Sequence, residues 1–315
     1  MEKRIEVSQL VCVGVPAADR LEEALRLLRD HPPGMVILFA HNLESEGQVR
    51  ELCGALHALP GRPLVAIDME GGRVNRLRRL WGDLPGGSDY GRWSEAKIER
   101  FAFGLGKRLG GLGIDVDFAP VVDLGPAAPG TGLEGRLLGD EPAAVAGKAR
   151  AFLRGLHRGG VLGCIKHYPG LGASTLDSHR ALPRIDLSRR ALAPHLRPFR
   201  LLKAEAPMVM VAHALYPALD PSGRPSTLSR PIIGLLHRRP AYKGLILSDD
   251  LEMGALAAYR SLADRARKAL AAGCHTVIVS HQWEELPAVE AGLRNAPVRQ
   301  AWERWREWRK TWTPA

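Results

Sequence analysis

Cysteine is scarce in this 315-residue chain: Cys12, Cys53, Cys164 and Cys274 stand far apart in apolar or helical surroundings. No two lie close enough along the sequence to begin a zinc site or a disulfide framework, so buried free thiols in a reducing cytoplasm are the simplest account. Long hydrophobic runs are also missing, and nothing approaches the ~20 apolar residues of a membrane span. The opening segment, MEKRIEVSQLVCVGVPAADR, starts basic, but its apolar stretch is short, broken by Ser8, Gln9 and Pro16, and shows no cleavage pattern. It reads as a first strand, and the protein is expected in the cytoplasm. The GVPAAD after that strand lacks the GxGxxG spacing of dinucleotide sites, which counts against a doubly wound sheet. Linkers rich in Pro or Ser and internal repeats are absent as well. The expectation is one catalytic domain over residues 1–297 and a short tail over 298–315.

What is present is an ordinary globular composition, 45% hydrophobic and 25% charged. The 44 Lys and Arg against 34 Asp and Glu give a net charge of +10. These basic residues are scattered and mostly Arg, so no nucleic-acid patch is expected. The excess positive charge suits attraction of an anionic substrate.

Short apolar or β-branched runs recur, each followed by a polar loop and then a helical pattern, which argues for βα units. The runs are QLVCVGV (9–15), MVILFA (35–40), PLVAID (63–68), IDVDFAP (114–120), VLGCIKH (161–167), MVMVAH (208–213), GLILSD (244–249) and HTVIVSH (275–281). Between them lie convincing helices such as RLEEALRLLRD and SLADRARKALAAG, several ending in Gly. Eight strands alternating with helices over this length predict a single-domain (β/α)8 barrel of the TIM type. Such barrels keep their active sites on loops at the C-terminal strand ends. Here those ends carry His41-Asn42, Asp68 and Glu70, Asp117 and Asp123, Lys166-His167, His213, Asp249-Asp250 and Ser280-His281.

Four motifs follow these strands. IDMEGGRVNRLR (67–78) offers an acid at a strand tip, a Gly-Gly turn and Arg73 and Arg76; it suits either sugar hydroxyl recognition or an ion pair that fixes the loop. DFAPVVDL (117–124) reads as structural, its acids anchoring loops at the barrel top. KHYPGLGASTLDSH (166–179) ends an apolar strand with two basic side chains and places Asp-Ser-His further on, a pattern that alone also fits a capped surface loop. LSDDLEMGAL (247–256) ends the seventh strand with paired acids.

In this order and spacing the four motifs resemble the family 3 glycoside hydrolases, specifically the bacterial single-domain β-N-acetylglucosaminidases, and the resemblance spans most of residues 5–295. It implies a nucleophile at Asp249 rather than Asp250, an unusual general acid/base at His179, and Asp177 as the partner of that histidine. It further implies that Asp68, Arg76, Arg136, Lys166 and His167 hold a terminal N-acetylglucosamine, with His213 lining the site. The chemistry of these residue types agrees. A retaining hydrolase needs a nucleophile and a proton donor, and an imidazole with an ordinary pKa of about 6.5 can serve as acid and then base. No metal or cofactor is required. The implied substrate is a β-1,4-linked peptidoglycan fragment, an anionic muropeptide recycled in the cytoplasm.

Two residues depart from the family pattern: Leu171 stands where a histidine is usual, and Met69 follows the third-strand Asp. Competing readings are a family 3 β-glucosidase, a β-glycoside phosphorylase, and a non-catalytic barrel that binds cell-wall fragments. The tail carries Trp302, Trp305, Trp308 and Trp312, an aromatic stripe on an amphipathic helix. It is expected to pack on the barrel or on a second copy of the chain, with interfacial membrane contact as the alternative.

Overall fold

A computed structural model of the protein describes residues 6–238 and 240–311. In chain order its strands are β1 (Val11–Gly14), β2 (Met35–Leu38), β3 (Leu64–Ile67), β4 (Met69–Gly71), β5 (Val74–Asn75), β6 (Val116–Asp117), β7 (Leu162–Tyr168), β8 (Met208–Val211), β9 (Leu245–Asp250) and β10 (Thr276–Val279). Eight of them close a parallel barrel in the order β1-β10-β9-β8-β7-β6-β3-β2. Each of the eight expected runs supplies one barrel strand. The ring closes where Val11 pairs with Val277, and Cys12 pairs with Met35 on the other side of β1.

The sequences of β1 (VCVG), β2 (MVIL), β3 (LVAI) and β10 (TVIV) are buried at every position. That is the expected consequence of a parallel sheet with side chains filling one face and helices covering the other. The outer helices start at serine caps: Ser45, Ser94, Ser188 and Ser261 each accept the backbone N–H three residues on.

β6 is shorter than its apolar run because Pro120 has no N–H to give the ladder; pairing resumes when Val122 N–H donates to the Lys166 carbonyl, 2.8 Å. The Gly-Gly after the third strand turns a small antiparallel hairpin, β4 against β5. Gly71 has a positive φ of 78°, and a Cβ there would stand 2.0 Å from the Pro85 carbonyl oxygen, so no other residue fits.

A helix over Arg299–Thr311 lies under the opposite end of the barrel. Its Trp302, Trp305 and Trp308 are buried. Trp308 Nε1–H donates to the Pro207 carbonyl, 3.0 Å, just before β8. Gly34, just before β2, leaves room for the Trp305 ring, which a Cβ would meet at 2.7 Å. Of the packing partners expected for the stripe, the chain's own barrel takes these three indoles, while Trp312 lies outside the described residues.

Candidate active site

At the C-terminal strand ends opens a cavity of about 540 Å³. Its floor on the β3 and β7 side is a buried charge cluster. Lys166 Nζ lies 2.7 Å from Asp68 Oδ1 and 2.6 Å from Glu70 Oε1, so two of its three donors are engaged. Arg136 meets Glu70 bidentately, Nε to Oε2 at 2.7 Å and Nη2 to Oε1 at 2.8 Å. Burial works to raise the Glu70 carboxyl, but Arg136 and Lys166 overcome it and hold the group well below the ordinary carboxylate range. Burial likewise works to lower the Lys166 ammonium, and Asp68 and Glu70 overcome that too, leaving it firmly charged. Arg76 stands 3.7 Å from Asp68 Oδ2 with its guanidinium over the Phe39 ring.

Alternation along a strand sends neighbouring side chains to opposite faces, yet Lys166 and His167 both line the cavity. β7 is irregular here: its register with β8 shifts between Ile165 and Tyr168. His167 Nδ1 is 2.7 Å from Asp123 Oδ2, and its Nε2 faces Arg136 at 3.4 Å. Asp123 also accepts the backbone N–H groups of His167 and Leu171, anchoring the loop that leaves β7.

Asp249, at the tip of β9, lines the same cavity. Burial acts to raise its carboxyl, but His167, the Asp250 N–H and His179 draw it below the ordinary value, so it is an anion. The Asp250 N–H donates to Asp249 Oδ1 at 2.9 Å. Asp250 is different: burial pushes it up to about 7, with Glu252 and Asp249 adding to the rise. Two adjacent carboxyls are thus shifted in opposite directions, Asp249 the stronger acid and Asp250 the weaker.

The loop after β7 brings a third group to the cavity. His179 Nδ1–H donates to Asp177 Oδ1 at 2.7 Å, and its backbone N–H donates to the same oxygen at 2.9 Å. Burial acts to raise Asp177, and these two hydrogen bonds and the neighbouring cations hold it below its usual value. The His179 side chain is 66% exposed and both residues line the cavity. The loop is pinned across the mouth: Gly254 N–H donates to the His179 carbonyl, 3.1 Å, and Ala255 N–H to the Ser178 carbonyl, 3.2 Å. Among the described residues no group of three or more His, Cys, Asp or Glu is arranged to hold a metal ion, and no helix is long and apolar enough to cross a membrane.

Residues 3–303 match the glycosyl hydrolase family 3 N-terminal domain. The chain belongs to glycoside hydrolase family 3. Curated relatives named β-hexosaminidase include one from Alkalilimnicola ehrlichii, 39% identical over 88% of this chain and 82% of its own length. Another, from Pseudomonas aeruginosa, is 34% identical over 88% of this chain and 83% of its own. Among solved structures, a family 3 β-N-acetylglucosaminidase from Paenibacillus superposes with a TM-score of 0.91 at 30% identity, covering 98% of this chain and 62% of that longer one. NagZ from Neisseria gonorrhoeae, in complex with N-trifluoroacetyl-D-glucosamine, gives 0.82 at 31% identity over 95% and 89% of the two chains. This protein is a glycoside hydrolase with the (β/α)8 architecture of its family.

Within that family frame, Asp68, Arg76, Arg136, Lys166, His167, Asp177, His179 and Asp249 all line one cavity, although they come from five separate segments of chain. His213 does not: it is fully buried, with its ring nitrogens against the Asp250 carbonyl and the Thr227 hydroxyl. Leu171 lines the cavity, whereas Met69 is buried in the hairpin. Sequence reasoning placed Glu70 at a strand end but gave it no role in the site. It is the carboxylate that ties Arg136 to Lys166, and the only local clue was its position one residue before the Gly-Gly turn.

Proposed function

We propose that this glycoside hydrolase is a retaining exo-β-N-acetylglucosaminidase acting through a covalent glycosyl-enzyme. The observation that carries the reading is the Asp177–His179 pair facing the cavity that holds the Asp249 anion. In the first step Asp249 bonds to the anomeric carbon while the glycosidic oxygen leaves with a proton from His179 Nε2, the nitrogen not engaged by Asp177. In the second, His179 Nε2 takes a proton from water, whose oxygen displaces Asp249 and restores the β-configuration. Asp177 keeps the ring in one tautomer and stabilises its cation, as a carboxylate does for other catalytic histidines.

The charge cluster fits the non-reducing sugar. Asp68 accepts from vicinal hydroxyls, the third N–H of Lys166 and the free donors of Arg136 and Arg76 meet sugar oxygens, and His167 is held ready by Asp123. The relatives' names support N-acetylglucosamine as that sugar. The net charge of +10 supports an anionic partner, a muropeptide from peptidoglycan, and four unpaired buried cysteines support a cytoplasmic setting.

The test measures aryl β-N-acetylglucosaminide against aryl β-glucoside turnover, with and without phosphate, for the wild type and for Asp249→Asn and His179→Ala. The expected result is preference for the N-acetyl substrate, free sugar rather than sugar 1-phosphate as product, and near-complete loss in both variants. Wild-type rates in either variant would falsify the mechanism. Product analysis on purified muropeptides then checks the natural substrate, and turnover confined to neutral chitooligosaccharides rejects the peptidoglycan assignment.

A further inference from the structure

His213 follows β8, is fully buried, and has both ring nitrogens engaged. Nε2 lies 2.9 Å from the Asp250 carbonyl oxygen and Nδ1 2.7 Å from Thr227 Oγ1. The tautomer follows from the partners. A bare Nε2 lone pair would face a carbonyl oxygen, so Nε2 carries the proton and donates to Asp250. Nδ1 meets the Thr227 hydroxyl, whose oxygen also lies 2.7 Å from the Ala212 carbonyl and 3.2 Å from the Val211 carbonyl. Burial lowers the ring's pKa against the pull of Asp249, which agrees with a neutral imidazole.

The contact matters because the ladder fails at the nucleophile. Thr276 pairs with Leu247, but Ile278 pairs with Asp250, so the β9–β10 register slips by one residue across Ser248 and Asp249. The sheet therefore does not fix Asp249 by regular pairing. Asp250 is held instead by His213 at its carbonyl and by the Glu252 N–H at its side chain, 3.0 Å, and its own N–H points at Asp249 Oδ1.

We propose that His213 is a positioning residue for the nucleophile: through the Asp250 backbone it fixes Asp249 Oδ1 and leaves Oδ2 as the oxygen that attacks the anomeric carbon. This rests on the assignment of Asp249 above. It replaces the expectation that His213 touches sugar with a role one residue removed from it.

The test uses the full chain, aryl β-N-acetylglucosaminide turnover and inhibition by N-acetylglucosamine, for His213→Leu, His213→Gln and Asp249→Asn. His213→Leu is expected to lower kcat by about 30-fold or more, in line with the sensitivity of attack geometry to small displacements, while the inhibition constant stays within about threefold. His213→Gln, whose amide N–H can reach the Asp250 carbonyl, is expected to recover most of that loss. Equal losses in the two variants, or weaker inhibition at unchanged kcat, overturn the positioning role. Where His213→Leu does not fold, Thr227→Val removes the hydroxyl against which His213 Nδ1 is seated, so that the ring loses one of its two anchors. A lowered kcat with unchanged inhibition then supports the role, and wild-type kcat overturns it. A dead Asp249→Asn beside a fully active His213→Leu overturns this inference alone; an active Asp249→Asn overturns the proposed function beneath it.

Discussion

Lys166 Nζ and Glu70 Oε1 are 2.6 Å apart with both side chains almost wholly buried, and Arg136 grips the other side of the same carboxylate. Glu70→Gln keeps the shape and removes the charge, leaving two cations with less compensation. Breaking a buried pair from one side is expected to cost about 3 kcal/mol in urea unfolding at pH 7. Because the folded-state pKa is depressed, the wild-type advantage is full above the ordinary glutamate range and shrinks as pH falls below about 4. A variant as stable as wild type at pH 7 would show that the cluster is dispensable for folding.

Asp117 lies beneath this cluster, fully buried, with Oδ1 accepting the Met69 N–H at 2.9 Å and Oδ2 unpartnered among the described residues. Burial pushes its pKa up to about 8, so the folded protein keeps it protonated at neutrality. A raised folded pKa contributes stability that is present below the ordinary aspartate value and is lost as pH rises through the folded one. Between pH 5 and pH 8 the wild type is therefore expected to lose roughly 2–4 kcal/mol that Asp117→Asn retains. Parallel stability profiles for the two proteins contradict this.

Asp177 holds His179 through Nδ1–H, and Asn at that position can offer an N–H to the same nitrogen and favour the wrong tautomer. Asp177→Asn is expected to lower kcat by about 100-fold or more on a substrate with a poor leaving group. The loss should be much smaller for dinitrophenyl glycosides, which leave without a proton. Equal losses on both substrates point to displacement of the loop instead.

Gly172 packs where a Cβ would stand 1.9 Å from the Leu124 carbonyl oxygen, a backbone atom that cannot yield cheaply. Gly172→Ala is expected to shift the loop that carries Asp177 and His179, lowering kcat at least about tenfold, since small misplacements of a proton donor cost that much. Inhibition by N-acetylglucosamine should change little, because Asp68, Lys166 and Arg136 stand on other supports. Tight coupling of both effects rules out a loop-only origin.

The eight barrel strands were legible because each is a continuous apolar run, and the strand-end rule then pointed to Asp68, Lys166, His167 and Asp249 without any knowledge of packing. The Gly-Gly turn and the capping serines were legible for equally local reasons. What stayed hidden is carried by contacts distant in sequence. Glu70 acquires its meaning only when Arg136, 66 residues on, folds back against it. His213 ends an apolar strand as the true cavity residues do, and nothing local reveals that it points at the Asp250 carbonyl rather than into the mouth. The brevity of β6 was readable in Pro120, whereas the slip between β9 and β10 was not, since side-chain pattern does not record backbone register.

The ring is joined only when β10 finds β1, and the barrel's floor is laid only when Trp302, Trp305 and Trp308 dock beneath it. Both events use residues from 276 onward, so a nascent chain must carry β1 with an open edge through most of its synthesis. Open parallel edges recruit wrong partners. Pairing of β10 with both β1 and β9 thus retires the last exposed edges, and the three indoles seal the end of the barrel beneath them.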